Sequence, residues 1–129
     1  LEQGVRFVFN CLDIMIGGEL FIPKIPSMGV MELKDAIAPE CETKIVGIRP
    51  GEKLHEVLLP REESRSALEF DDKYIVEPNF EWWEAGRHHK GGKKLTEDFE
   101  YNSKNNTNWL DREGILKLAG IKPETVACP

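Results

Sequence analysis

Three observations predict an α/β fold of short strands and helices. Apolar residues near the N-terminus recur at spacings of three and four, short apolar or β-branched runs follow, and Pro or Gly closes each run. Leu1 to Met15 carries Val5, Val8, Leu12 and Met15 along one helical stripe, and Gly17-Gly18 ends it. Leu20-Phe21-Ile22 reads as a short apolar strand closed by Pro23. Met31 to Ile37 reads as a second amphipathic helix, stopped ahead of Pro39 because the residue before a proline disfavours the helical region. Thr43-Lys44-Ile45-Val46-Gly47-Ile48 concentrates β-branched residues and reads as a strand ended by Pro50-Gly51. Helix, strand, helix, strand in this order predicts strands joined by crossover helices.

Beyond Pro60 the pattern weakens. Arg61 to Arg65 reads as a solvated charge run, and Ala67 to Phe70 with Lys73 to Val76 predicts a small hairpin or edge pair around Asp71-Asp72. Residues 79–94 hold Trp82-Trp83, His88-His89 and Gly91-Gly92 without any period, so a long loop is expected there. Thr107 or Asn108 is expected to N-cap a helix through Leu118, with Asp111 and Glu113 favourable near its start and Gly120 at its end. Residues 1–120 are thus expected to form one lobe and residues 121–129 a flexible tail.

Composition narrows the function classes. The chain has 129 residues, 40% of them hydrophobic, which suffices for one modest core. No apolar run approaches the roughly 18 residues of a membrane span. Seventeen basic residues against 23 acidic give a net charge of −6, which argues against nucleic acid as a partner and requires any phosphate site to be focal. Cys11, Cys41 and Cys128 form no metal-binding spacing, and an odd, scattered count fits a reducing cytoplasm. No metal site is expected. The chain opens in a helical pattern at Leu1 with neither a leader nor an initiator Met, so a fragment of a larger protein is expected.

The most informative stretch is Gly47-Ile48-Arg49-Pro50-Gly51-Glu52-Lys53-Leu54-His55-Glu56. Arg49 at a strand end offers a planar, permanently charged fork suited to a diphosphate, and the Glu52 carboxylate can accept from sugar hydroxyls. The same two residues are also compatible with a plain surface ion pair. Lys24, after Pro23, suits a solvated strand end better than a phosphate and is a secondary candidate. Asn102 to Asn108 can hold a sugar, or can cap and turn the chain before a helix. His88-His89 with Glu84 lacks the helix that would align them on a metal, and Trp82-Trp83 fits hydrophobic cover or a subunit contact. No Gly-rich strand-to-helix turn and no Tyr-x-x-x-Lys pair appear, so neither a dinucleotide site nor a catalytic residue is expected in this chain.

Taken together, Ile48 to Glu56, the upstream Gly18 to Met28, Leu68 to Asp72 and Tyr101 to Leu110 resemble the C-terminal part of the inverting UDP-N-acetylglucosamine 4,6-dehydratases. These are extended short-chain dehydrogenase/reductase enzymes of bacterial surface-sugar biosynthesis. Glu81 to Lys94 and the segment after Gly120 match that family poorly.

The resemblance implies a substrate-binding lobe from which the Rossmann domain is absent. In the intact family enzyme NADP takes a hydride from C4 of UDP-N-acetylglucosamine, water leaves across C5 and C6, and hydride returns to C6 with inversion at C5. The groups for those steps, and the NADP site, would lie upstream of Leu1. Arg49 would contact the UDP diphosphate and Glu52 a uridine-side hydroxyl, with Lys24 and Asn105 as weaker substrate-binding candidates. The product would be a 4-keto-6-deoxy sugar nucleotide for surface glycans or flagellin, of the pseudaminic acid kind, made by a cytoplasmic homo-oligomer. Two other readings stand beside it, a non-catalytic interaction module using the Glu81 to Lys94 excursion and a nucleotide-sugar 4-epimerase.

Overall fold

The three-and-four spacing of Val5, Val8 and Leu12 does form a helix, α1 (Glu2–Ile14), in a computed structural model that describes residues 1–83 and 90–122. The further elements are β1 (Leu20–Pro23), α2 (Val30–Ile37), β2 (Val57–Leu59), α3 (Arg61–Ser64), β3 (Ala67–Glu69), β4 (Lys73–Val76), β5 (Lys93–Lys94), β6 (Tyr101–Asn102) and α4 (Arg112–Ala119). They fall into two compact units, one of Leu1–Lys24 with Val57–Asn102 and the other of Ile25–Glu56 with Ser103–Pro129.

In the first unit a four-stranded sheet runs in the order β1-β4-β3-β5. Every pairing in it is antiparallel, so the parallel crossover arrangement expected from the element order is not formed. The physical reason is that the second strand, Thr43 to Ile48, to which α2 would cross over, is not formed, and α2 packs on α4 in the second unit. The hairpin around Asp71-Asp72 is present, closed by Phe70 N–H donating to Lys73 O at 2.9 Å. It is not an edge pair, because β1 adds to the free side of β4.

Tyr74 stands opposite Ile22 on one neighbour and Glu69 on the other. That register puts Ile22, Ala67 and Tyr74 on one face, where Leu59 and Tyr101 complete a buried cluster. The Tyr74 ring lies 5.4 Å from Phe99 and 5.1 Å from Tyr101, both tilted as aromatic quadrupoles prefer. Ile75 and Leu68, which point to the opposite face, are buried as well.

β2 and β6 form a separate antiparallel pair with an irregularity between Val57 and Leu59. The charge run after Pro60 is not wholly solvated. Its first four residues make the single turn α3, whose Ser64 is fully buried, with Oγ donating to Arg61 O at 2.7 Å and lying 3.2 Å from Glu97 O. The segment 79–94 contains more than loop, because Lys93–Lys94 pairs with Leu68 and Glu69 as β5. Trp83 is buried cover, whereas Trp82 is exposed and stacks on Phe80 at 5.3 Å. Glu84, Gly86, His88, His89 and Cys128 lie outside the described residues.

The second unit is built on α2 and α4, which enclose Ala36, Ile115 and Leu116 with Met28, Leu33, Leu110 and Ile121 around them. α4 starts later than expected. Its N-cap is Asp111, whose carboxylate accepts from Gly114 N–H at 2.8 Å, not Thr107 or Asn108. The chain cannot be helical before that point, because Ser27 N–H donates to Asn108 O at 2.8 Å and Leu110 N–H to Ser27 O at 2.9 Å, an extended bridge. Gly120 ends α4 in the left-handed region at φ 68°, as its type suggests.

The Thr43 to Ile48 strand is absent. β-propensity measures how well a side chain fits a half-buried pleated surface, and Ile45 is 91% exposed while no strand among the described residues pairs with this run. Gly47 at φ 80° breaks the extended path as well.

Candidate functional site

With the strand gone, Arg49 depends on its turn for any rigidity. Pro50 fixes the first central position and Gly51, at φ 87°, takes the second, which is the type II arrangement. Glu52 N–H donates to Arg49 O at 3.0 Å and closes the turn. The Glu52 side chain then returns: its Oε2 accepts from Arg49 N–H at 2.8 Å, and its Oε1 lies 3.9 Å from Arg49 Nε. The Arg49 side chain is 77% exposed, so a loose ion pair at this distance leaves most guanidinium donors facing water.

Beside the turn is an open depression of about 620 Å³. Val30, Ile48 and Leu54 give it an apolar part, and Glu52, Lys53 and Glu56 a polar one. A flat apolar group with hydroxyls attached suits such a lining, and an anion suits the exposed guanidinium of the same turn. The end of this segment is tied down, since Glu56 N–H donates to Ser103 Oγ at 3.1 Å and Ser103 N–H to Glu56 O at 2.9 Å.

The polar run 102–108 is chiefly a clasp. Asn106 Nδ2 donates to Ile25 O at 2.7 Å and Ser27 Oγ at 3.0 Å, while its Oδ1 accepts from Asn108 N–H at 3.0 Å. Its carbonyl also accepts from Trp109 Nε1. Asn105, the residue of this run chosen from sequence, lies exposed next to it. Sequence reasoning did not single out Asn106, and its Asn type in a cap-rich run carried no signal that would have separated it from its neighbours.

Lys24 belongs to the other unit and is not a solvated strand end. Its Nζ pairs with Glu69 Oε1 at 2.8 Å and sits 4.8 Å above the Tyr74 ring, with the two charged side chains only 26% and 31% exposed. Its backbone N–H donates to Asp72 O at 2.9 Å. A carboxylate and a ring face thus take up the charge that a phosphate would need. Burial, helped by Glu69 and then Tyr101, pushes the Tyr74 phenol up to about 12. The hydrogen bond from Lys73 holds the Asp72 carboxyl below its ordinary value, and burial pushes the Cys11 thiol up against the opposing pull of Lys73.

Among the described residues no group of His, Cys, Asp and Glu is arranged to hold a metal ion, and no helix is long and apolar enough to cross a membrane. The helix N-termini that follow strands do not fit a dinucleotide pyrophosphate. The Gly29 N–H ahead of α2 is taken by Glu32 Oε2 at 2.9 Å, α3 begins after Pro60 and carries Glu62 and Glu63, and α4 is capped by Asp111. A carboxylate at each of these ends repels the phosphate that a helix dipole would otherwise attract.

The sequence profile of the polysaccharide biosynthesis protein family matches residues 1–78. Two proteins of Campylobacter jejuni, from serotypes O:2 and O:23/36, are each 38% identical to the chain over 124 residues and are named UDP-N-acetylglucosamine 4,6-dehydratase (inverting). Those matches cover 92% of this chain, which spans 37% of the length of the curated relatives it matches. Among solved structures, that of Pen from Bacillus thuringiensis superposes with a TM-score of 0.73 at 25% identity, covering 91% of this chain and 35% of that one.

Proposed function

The chain belongs to the polysaccharide biosynthesis protein family, and from that premise we propose that residues 1–120 form the UDP-sugar-binding lobe of an inverting UDP-N-acetylglucosamine 4,6-dehydratase. The observation that carries the reading is the closed Arg49-Pro50-Gly51-Glu52 turn, which leaves the guanidinium exposed and whose Gly51 and Glu52 line a depression with an apolar part. Arg49 would bind the diphosphate and the depression the rest of the nucleotide, and the names of the Campylobacter jejuni relatives supply the sugar. Asn105 is left as a minor contributor, and Lys24 is set aside because Glu69 already holds it.

The carboxylates at the described helix ends suit NADP poorly, and in this reading it and the acid and base groups would belong to other parts of the intact protein. No chemical step is assigned to residues 1–129. The reading extends to a cytoplasmic, homo-oligomeric enzyme serving surface glycan or flagellin glycosylation; the scattered cysteines support the compartment, and the exposed Phe80-Trp82 stack supports a subunit contact.

The test is to incubate the intact protein with UDP-N-acetylglucosamine and weigh the product. Loss of one water supports the dehydratase. An isomer of unchanged mass would move the assignment to a 4-epimerase, and untouched substrate would refute both.

A further inference from the structure

Two stretches of the second unit make the depression beside the Arg49 turn. Val30, the first residue of α2, supplies one side, and residues 48–56 supply the rest. No sheet holds the two together, since among the described residues no strand lies between Val30 and Glu56. Both are instead laced to one distant stretch, Ser103 to Leu110. Ahead of Val30, Asn106 Nδ2 donates to Ile25 O at 2.7 Å and to Ser27 Oγ at 3.0 Å, and the Ser27 backbone bonds Asn108 and Leu110. At the far end, Ser103 Oγ accepts from Glu56 N–H at 3.1 Å, and Ser103 N–H donates to Glu56 O at 2.9 Å. Asn106 also accepts from Asn108 N–H and Trp109 Nε1, so the residue that ties this stretch to Ile25 and Ser27 ties the stretch to itself.

We propose that Ser103 and Asn106 are positioning residues for the nucleotide: they fix the Val30 side of the depression against its 48–56 side, acting through Ser27 and Glu56. The proposal rests on the UDP-binding reading given above. A cleft whose sides are already held spares the ligand the cost of ordering them. The Arg49 turn closes on itself through Glu52, independently of this lacing. The two parts of a nucleoside diphosphate therefore feel its loss differently: the diphosphate keeps its guanidinium, while the nucleoside meets sides that no longer stand at a fixed separation. Cutting the lacing does not remove the apolar packing of α2 on α4, which keeps the unit folded.

The experiment uses the intact protein as wild type, Ser103→Ala, Ser103→Thr and Asn106→Ala, with Asp111→Ala as a variant that weakens the α4 cap without touching the lacing. Calorimetric titration is carried out with UDP and, separately, with inorganic pyrophosphate, at a temperature where circular dichroism shows every variant folded. Asn106→Ala is expected to weaken UDP about tenfold and Ser103→Ala about threefold, on the scale of lost hydrogen bonds, with pyrophosphate affinity unchanged in both. Ser103→Thr, which keeps the hydroxyl, is expected to bind UDP as wild type does, and so is Asp111→Ala. Unchanged UDP affinity in both alanine variants overturns the proposal. So does an equal loss for UDP and pyrophosphate, or a loss in Asp111→Ala as large as in Asn106→Ala, since either reports a general loosening of the unit. A loss in Asn106→Ala with none in Ser103→Ala would mean that Asn106 touches the ligand itself, which overturns the shared role. A wild-type protein that binds no UDP refutes the UDP-binding reading and this proposal with it, and that result is visible before any variant is made.

Discussion

Lys24 and Arg49 are both cations next to a proline, yet they have opposite fates. Lys24 follows Pro23 at the edge of a sheet, where the register of β1, β4 and β3 brings Glu69 and the Tyr74 ring to it, and its charge is consumed internally. Arg49 precedes Pro50 in a segment with no sheet and no burial, where a turn fixes only its backbone and its charge stays available. The difference teaches that a cation's surroundings beyond its own sequence neighbours decide whether its charge is taken up within the fold or stays exposed.

The comparison breaks most visibly at the Tyr74 core. Tyr74→Ala is expected to cost about 3–5 kcal/mol, the range for removing a buried aromatic ring, measured by chemical denaturation; a loss below about 1 kcal/mol would mean the Lys24 region is not held by this core. The ring also sets an alkaline limit. Because its folded pKa of about 12 lies above the ordinary 10, the stability it contributes is complete below pH 10 and is lost as pH rises toward 12. Denaturation at stepped alkaline pH should show that decline, and Tyr74→Phe should flatten it.

Next comes Arg49→Ala in the intact protein. Loss of a charge-assisted contact of roughly 1.5–3 kcal/mol should weaken UDP binding about ten- to a hundredfold. Stability should stay within about 0.5 kcal/mol. Unchanged UDP affinity would put Arg49 in the same class as Lys24.

Asp111→Ala is expected to destabilise by about 1 kcal/mol through loss of the α4 cap, against near-neutrality for Thr107→Ala. The reverse order, read from denaturation midpoints, would restore the earlier helix start. The smallest effect belongs to Lys24 itself. A double-mutant cycle of Lys24→Met with Glu69→Gln should give a coupling of about 0.5–1 kcal/mol for a partly exposed pair, with UDP affinity the same in all four proteins. A drop in affinity on Lys24→Met would return Lys24 to the substrate site.

How much of this was legible depends on how local the signal is. α1, β1, α2 and the hairpin at Asp71-Asp72 could be read because periodicity and turn residues act over a few positions. The Arg49 turn could be read for the same reason, since Pro, Gly and the returning Glu all lie within four residues. Thr43 to Ile48 was misread because β-branching reports compatibility with a sheet and says nothing about whether one is present. The start of α4 was misplaced because several cap-competent residues precede it, and the choice among them is made by the distant Ser27, whose bridge keeps Asn108 to Leu110 extended. The Lys24–Glu69 pair spans 45 positions and no spacing rule reaches that far.

Gly51 gives the turn a property best stated as handedness. At φ 87° its backbone occupies the region that L side chains avoid and D side chains favour. A D-alanine placed there by chemical ligation would adopt that φ without the strain an L residue meets. It would narrow the unfolded chain's choices while leaving Arg49 and Glu52 chemically intact. The mirror-image L-alanine would pull the same loop away from closure, so one stereocentre would tune how often the guanidinium is found where the turn presents it.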